Sequence, residues 1–293
     1  MKSKTLLAAL LLVVASACTT ASRPDIAGMS FSSDPLLGKV TWHDLITEDL
    51  ASSREFYGGL FGWTFETSTG TRGEEYLLAR NGDVLVAGLI AYKAPADGKK
   101  YSRWLPYISV DDVDAAMARA SAAGAKTVAS ARDVSIGRVG AIVDPQGAVI
   151  GLARSDIGDP DDTTTAPAPG RPIWTELLAD DPAVAATFYR TLAGYDVEIT
   201  QRRGGEYIFL ANDGVSRAGI FKKPVENDDY RPVWLTTFGV SDPGAAAAKA
   251  ESLGGKIILQ ASPELRDGTT AVVTDPSGAI LVLREWNSTG DQS

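Results

Sequence analysis

Residues 39–45 alternate between apolar and polar side chains, the spacing of a β-strand whose two faces have different surroundings. The spacing then becomes helical. Asp49 can cap a helix, and Phe56 and Tyr57 belong to an apolar stripe that recurs at helical intervals until Gly62. Glycine commonly ends a helix because it adopts the left-handed conformation without strain. The pattern therefore predicts a strand followed by a helix that stops at Gly62.

Runs rich in β-branched and aromatic residues, bounded by turn signals, predict the strands that follow. The first three lie at residues 63–66, 75–80 and 83–92, the last two on either side of an Asn81-Gly82 hairpin turn. The same order then repeats, with a helix that ends near Gly124 and strands at residues 104–110, 126–130, 138–143 and 149–154. Two βαβββ units are thus predicted in succession.

The second half of the chain repeats the first at an offset of 132 residues. Trp42 matches Trp174, and the pair Phe56-Tyr57 matches Phe188-Tyr189. The repeat predicts helices at residues 182–192 and 243–253, and two domains at residues 38–154 and 170–286. We expect an α+β fold of four βαβββ units, in which each pair of units forms a curved sheet with helices outside and a cup inside. A concavity of that kind is where ligands usually bind.

The composition excludes several classes of function. The chain has 293 residues, a net charge of -9, one His and one Cys. An acidic surface repels phosphate backbones, so we predict no nucleic-acid partner. A single cysteine excludes a disulfide framework and a cysteine-rich zinc site.

The N-terminus predicts export. A basic start and an apolar stretch lead into Ala15-Ser16-Ala17-Cys18, which resembles the lipobox of bacterial lipoproteins. The resemblance implies that residues 1–17 are a signal peptide and that Cys18 carries lipid, with Thr19 favouring the periplasmic face of the outer membrane. The alternative is an ordinary signal peptide cleaved after Ala17, with Cys18 incidental.

Three segments lack the spacing of packed elements. Residues 18–37 are rich in Ser, Thr, Asp and Pro and predict a flexible tether. Residues 155–169 contain acidic residues and alternating Ala and Pro, which predict a linker between the domains. Residues 287–293 are a short tail. Two linked domains can complete internally what single-domain proteins build by pairing, so we expect a monomer.

The repeated motifs resemble those of the vicinal oxygen chelate superfamily, which includes glyoxalase I, extradiol dioxygenases and bleomycin-resistance proteins. The likeness is carried by motifs that recur in both halves: Phe56-Tyr57 and Phe188-Tyr189, Ser109-Val110-Asp111-Asp112 and Val240 with Asp242, and the turns Asp144-Pro145-Gln146-Gly147 and Asp275-Pro276-Ser277-Gly278. It covers both predicted domains. The resemblance implies the fold more strongly than any one activity.

Catalytic members of this superfamily hold a divalent metal on the first and last strands of the units, which the resemblance places at eight positions here. These are His43, Gly88, Leu105 and Gly151 in the first half and Thr175, Gly219, Leu235 and Val282 in the second. His43 is the only metal ligand among them, and one imidazole cannot hold a catalytic metal. We therefore predict no metal and no cofactor; if a metal does bind, its candidate ligands are His43, Asp44 and Glu176.

The remaining candidate residues are those that could line a cup. We expect ligand contacts from His43, Thr175, Tyr76, Tyr107 and Tyr207. His43 could donate a hydrogen bond or act as a general base, or it could be a relic ligand satisfied by a neighbouring group.

The two acidic neighbours of the first-strand candidates belong to the opposite face. Strand alternation sends Asp44 and Glu176 away from the His43 face, where we expect structural cross-links near the domain interface rather than a catalytic carboxylate pair. The leading functional hypothesis is metal-independent binding of a small apolar or aromatic molecule by an envelope lipoprotein. The alternatives are a metal-dependent lyase or dioxygenase and a protein-interaction module.

Overall fold

A computed structural model describes residues 26, 29–69, 75–93, 102–162, 168–202, 205–223 and 231–286. The predicted signal peptide, Cys18, most of the predicted tether, the centre of the linker and the tail at residues 287–293 lie outside the described residues. Among the described residues, no helix has the length and apolar character that crossing a membrane requires.

The first domain contains two βαβββ units, as the periodicity predicts. Its elements are β1 (Val40–Thr47), α1 (Leu50–Phe61), β2 (Thr64–Thr69), β3 (Glu75–Asn81), β4 (Val84–Ala91), β5 (Arg103–Ser109), α2 (Val113–Ala122), β6 (Lys126–Val134), β7 (Gly137–Val143) and β8 (Val149–Ser155). The Asp49 side chain accepts a hydrogen bond from the Ser52 N–H (2.9 Å), and Gly62 ends α1 in the left-handed conformation.

The second domain repeats this order with one addition. Its elements are β9 (Pro172–Ala179), α3 (Pro182–Ala193), β10 (Asp196–Arg202), β11 (Gly205–Asn212), β12 (Val215–Lys222), β13 (Val233–Val240), α4 (Pro243–Ser252), β14 (Lys256–Leu259), β15 (Thr270–Thr274) and β16 (Ile280–Glu285). A 3₁₀ turn at Arg266–Gly268, which the sequence analysis did not predict, precedes β15.

Each domain is one open, curved sheet of eight strands. The orders are β2-β3-β4-β1-β5-β8-β7-β6 and β10-β11-β12-β9-β13-β16-β15-β14. Within each unit the first strand runs parallel to the last, and β1 pairs with β5 in antiparallel fashion to join the two units of domain 1. The predicted α+β class, the four units and the tandem domains are confirmed.

The helices pack on the convex faces of the sheets, and these faces meet between the domains. Helix α1 contacts α4, and α2 contacts α3. One apolar core joins the first unit to the fourth and a second core joins the second unit to the third. Phe238 of domain 2 stacks on Phe61 of domain 1 with ring centroids 5.1 Å apart. The two domains therefore stabilise each other through two apolar cores, each of which spans both domains.

The repeated motifs meet across this interface. The Tyr57 hydroxyl donates to Asp275 (3.2 Å), and the equivalent Tyr189 hydroxyl donates to Asp144 (2.9 Å). Each aspartate also accepts backbone N–H groups of its own turn, as Asp144 does from Gly147. A buried tyrosine hydroxyl needs a hydrogen-bond partner, and here each tyrosine finds it in the other domain. The residues that carry the family resemblance thus help to hold the two domains together.

Candidate ligand-binding cup

The concave face of domain 1 encloses a cavity of about 210 Å³. Its wall is mostly apolar, with aromatic and aliphatic side chains from the sheet and from the segment that precedes β1. They include Phe31, Trp42, Leu78, Ile90, Tyr107 and Ile157. The cup is therefore suited to an apolar molecule.

The floor of this cup is a hydrogen-bonded cluster on Asp44. The Trp42 indole N–H and the Tyr76 hydroxyl each donate to Asp44 Oδ1 at 2.8 Å, and Tyr107 also lines the cavity. Gly88, the partner of Asp44 on β4, leaves the space that the Tyr76 hydroxyl occupies, because a Cβ at this position would overlap that oxygen. Glycine is therefore needed at this position because a larger residue would clash with Tyr76.

Burial determines the protonation properties of the floor. Removal from water raises the pKa of Asp44 above its ordinary value, although the hydrogen bonds from Tyr76 and Trp42 act in the opposite direction. Burial also raises the pKa values of Tyr76 and Tyr107 well above 10, and the negative charge on Asp44 adds to this effect. Both hydroxyls therefore remain protonated donors at neutral pH.

His43 and Thr175 do not line the cup, so the expected orientation of these side chains is wrong. His43 Nε2 lies 3.3 Å from Thr175 Oγ1 in the buried interior between the domains, and burial lowers the pKa of His43 to about 3. Both faces of β1 are buried, so alternation alone could not indicate which face lines the concavity. The contact with Thr175 agrees with the alternative that His43 is satisfied by a neighbouring group.

Asp44 and Glu176 lie on the cup faces of the two sheets. The expectation that they form structural cross-links near the domain interface is therefore wrong. In domain 2 the Tyr207 hydroxyl donates to Glu176 Oε1 (2.7 Å), and the Arg266 guanidinium forms an ion pair with the same oxygen (3.0 Å). The Arg202 guanidinium lies 4.2 Å from the centre of the Tyr207 ring. Burial raises the pKa of Tyr207, and the charge on Glu176 adds to the rise.

The cup floors do not fit the metal site that the superfamily resemblance implies. Two carboxylates line the domain 1 cavity: Asp44, one oxygen of which accepts two hydrogen bonds, and Asp159, which accepts from Leu36 and Ser109. In domain 2 the Arg266 guanidinium is paired with the Glu176 carboxylate. Within the described parts of the chain, no group of three or more His, Cys, Asp or Glu side chains is placed to hold an ion. A catalytic metal needs about three fixed donors.

The segment before β1 covers the mouth of the domain 1 cup. Phe31 forms a β-bridge with Pro160, and the Ser32 N–H donates to the Asp159 carbonyl (2.8 Å). The Asp159 carboxylate accepts from the Leu36 N–H (2.7 Å) and the Ser109 hydroxyl (2.6 Å). The described end of the predicted tether is therefore packed against the start of the predicted linker, through contacts between segments distant in sequence.

Two arginines near the carboxylates were not among the predicted site residues. Arg132 lines the domain 1 cavity, and Arg266 pairs with Glu176 in domain 2. Arg132 follows an irregularity in the β6–β7 pairing, and Arg266 has a positive φ of 48° in the 3₁₀ turn. Both therefore depend on local departures from regular structure that periodicity does not reveal.

The family model and the similar proteins point to the same family. The family model described as "Glyoxalase/Bleomycin resistance protein/Dioxygenase superfamily" matches residues 38–152 and 171–283. "Putative glyoxylase CFP32" of Mycobacterium tuberculosis (strain CDC 1551 / Oshkosh) is 32% identical over 250 residues, which cover 83% of this chain and 93% of that protein. "Anthracycline biosynthesis protein DauV" of Streptomyces sp. (strain C5) is 29% identical over 271 residues, which cover 85% and 94%.

A solved structure agrees on the fold. The Mn(II)-bound glyoxalase from Novosphingobium aromaticivorans superposes with a TM-score of 0.54 at 15% identity, covering 85% of this chain and 82% of that one. At this level of identity the likeness concerns the architecture alone.

Proposed function

Because the chain belongs to the glyoxalase, bleomycin resistance protein and dioxygenase superfamily, we propose that its domain 1 cup binds a small apolar or aromatic molecule without a metal ion. The observation that carries this proposal is the cavity of about 210 Å³ above the Asp44 floor. Burial of an apolar ligand there would gain about 25 cal/mol for each Å² removed from water.

The size of the cavity limits the ligand. An engineered protein cavity of about 150 Å³ stays dry and holds benzene. The domain 1 cavity is larger, at about 210 Å³, so a molecule of one or two rings fits it. A relative named for anthracycline biosynthesis supports an aromatic ligand.

The floor supports binding rather than metal chemistry. Asp44 Oδ1 accepts hydrogen bonds from Trp42 and Tyr76. These bonds orient the carboxylate and use the lone pairs with which this oxygen would coordinate a metal ion. A fixed cluster of this kind keeps the cup preorganised, and preorganisation lowers the entropic cost of binding.

Ethylbenzene is a direct probe of this function. We expect calorimetry to detect its binding to the wild-type protein, and Ala153→Phe to abolish the binding because the new ring fills the cavity that Ala153 lines. The matched control is Ala122→Phe at the exposed end of α2, which should leave binding unchanged. Equal binding by the wild type and Ala153→Phe would show that the cup is not the site.

A metal-dependent lyase or dioxygenase is the second candidate, favoured by the placement of Asp44 and Glu176 on the concave faces. It predicts a stoichiometric transition metal in protein purified without chelators, lost on Asp44→Asn or Glu176→Gln. The binding proposal predicts no such metal. Elemental analysis therefore separates the two.

We also propose that the protein is anchored to the cell envelope through lipid on Cys18. The small residues Ala15, Ser16 and Ala17 before this cysteine support the proposal. Mass spectrometry of the mature N-terminus should find an acylated Cys18, and Cys18→Ala should move the protein to the soluble fraction. An unmodified N-terminal cysteine would indicate ordinary cleavage after Ala17.

A further inference from the structure

We propose that Arg132 is the specificity-determining residue of the domain 1 cup and that its ligand carries a hydrogen-bond-accepting oxygen, a carbonyl or a carboxylate, on an aromatic or apolar body. This inference deepens the proposed binding function and rests on it. It concerns which chemical class the cup selects.

The backbone places Arg132 for this role. Strand β6 pairs with β7 so that Arg132 is opposite Val139, and the register shifts between Ala129 and Arg132. An extra residue in one strand bends it and re-aims the side chains that follow, and such bulges often lie beside binding sites. Arg132 and Val139 both line the cavity.

The Arg132 guanidinium has an unused donor. Its Nε is buried, with no hydrogen-bond partner within the described part of the chain. Its positive charge acts on Asp44 through space, but no direct ion pair joins these two residues. The terminal N–H groups of the same guanidinium are not among its fully buried atoms and have no hydrogen-bond partner among the described residues. A ligand oxygen that accepts from them forms a charge-assisted hydrogen bond.

Three other polar groups that line the cup already have partners. The Trp42 N–H and the Tyr76 hydroxyl donate to Asp44. Arg138, another arginine at the cavity, binds Asp114 and Asp133, each at 2.6 Å. Arg132 thus differs from these groups in having no protein partner, and a ligand that supplies an acceptor matches it.

Three probes of similar size test this inference: ethylbenzene, acetophenone and benzoate. We expect the wild-type protein to bind at least one of the two oxygen-bearing probes about 10- to 100-fold more tightly than ethylbenzene, the effect of one hydrogen bond from a charged donor. Arg132→Met keeps an unbranched apolar chain and should remove this preference while leaving the affinity for ethylbenzene within about threefold. A preference for acetophenone indicates a neutral carbonyl, and a preference for benzoate indicates a carboxylate.

Arg138→Met is the matched control, because this arginine also lies at the cavity but is held by two aspartates. It should retain the full preference for the oxygen-bearing probe. If Arg132→Met and Arg138→Met lower the affinity for all probes equally, or if oxygen gives no advantage in the wild type, the inference about Arg132 is wrong while the binding function stands. If no probe binds the wild type, the proposed function itself is wrong.

Discussion

The two cups of this chain share a floor and differ in what lies above it. In both, a tyrosine hydroxyl donates to a carboxylate, Tyr76 to Asp44 and Tyr207 to Glu176. The indole differs, because the Trp42 N–H donates to Asp44 itself whereas the Trp174 N–H donates to the Tyr207 hydroxyl. In domain 2 Arg266 pairs with the carboxylate, whereas in domain 1 Arg132 stands apart and a cavity remains. Both domains thus keep a buried carboxylate bonded to a tyrosine hydroxyl, and they differ in the pairing of the neighbouring arginine.

The largest expected effect is a difference in the free energy of unfolding between variants of Arg266 and Arg132. Arg266→Met removes the guanidinium that is paired with the buried Glu176 carboxylate and leaves the charge of Arg284, which acts on Glu176 through space. We expect the free energy of unfolding to fall by about 3 kcal/mol, the low end for breaking a buried pair, because Arg266 is partly exposed. Arg132→Met removes a buried donor that has no protein partner, so the free energy of unfolding should not fall and should rise by up to about 1 kcal/mol. Urea unfolding of both variants measures the difference, and equal losses would show that the cups are not differently paired.

The second effect tests the shared floor. Gly88→Ala and Gly219→Ala each introduce a Cβ that overlaps a tyrosine hydroxyl, that of Tyr76 or Tyr207. We expect both variants to lose about 2 kcal/mol, because overpacking forces the ring to move. Gly82→Ala is the control for the hairpin, since a Cβ there meets no atom and only its positive φ is strained. Thermal unfolding of the three proteins provides the comparison, and a neutral Gly88→Ala would contradict the close packing.

The sequence predicted the fold well because its signals are local. The Asp49 cap, the Gly62 stop and the repeated turns each set the limits of an element within a few residues. The faces of β1 were assigned wrongly because both faces of this strand are buried, so a polar side chain such as His43 or Asp44 does not indicate which face lines the cup. Arg132 was missed because its orientation depends on a bulge, and bulges are set by the pairing of two strands.

A third, smaller effect concerns the interior that separates the cups, where His43 meets Thr175. The pKa of His43 is lowered to about 3 by burial, whereas an unfolded chain binds the proton near 6.5. Below pH 6.5 the unfolded state therefore holds more protons, and stability falls as the pH falls towards 3. Between pH 6.5 and 5.5 we expect a loss of about 1 kcal/mol that is absent in His43→Gln.

The carboxylates titrate in both the wild type and His43→Gln. The difference between the pH dependences of their unfolding free energies therefore reports on His43 alone. His43 is the only histidine of the chain, so its imidazole NMR signals can be assigned without ambiguity. They should remain those of the neutral ring down to the lowest pH at which the protein is folded. A titration midpoint near 6.5 in the folded protein would place His43 in water rather than between the domains.

The smallest expected effect concerns the covering of cup 1 by the segment before β1. Phe31 lines the cavity and is held by its bridge to Pro160. Phe31→Ala removes part of the wall but leaves the Asp44 floor intact, so we expect ethylbenzene to bind about threefold more weakly and to dissociate faster, with little change in the free energy of unfolding. Leu259→Ala, at an exposed position in domain 2, is the control. Stopped-flow measurement of the dissociation rate tests the role of Phe31; an unchanged rate would mean that the ligand leaves by a route this segment does not cover.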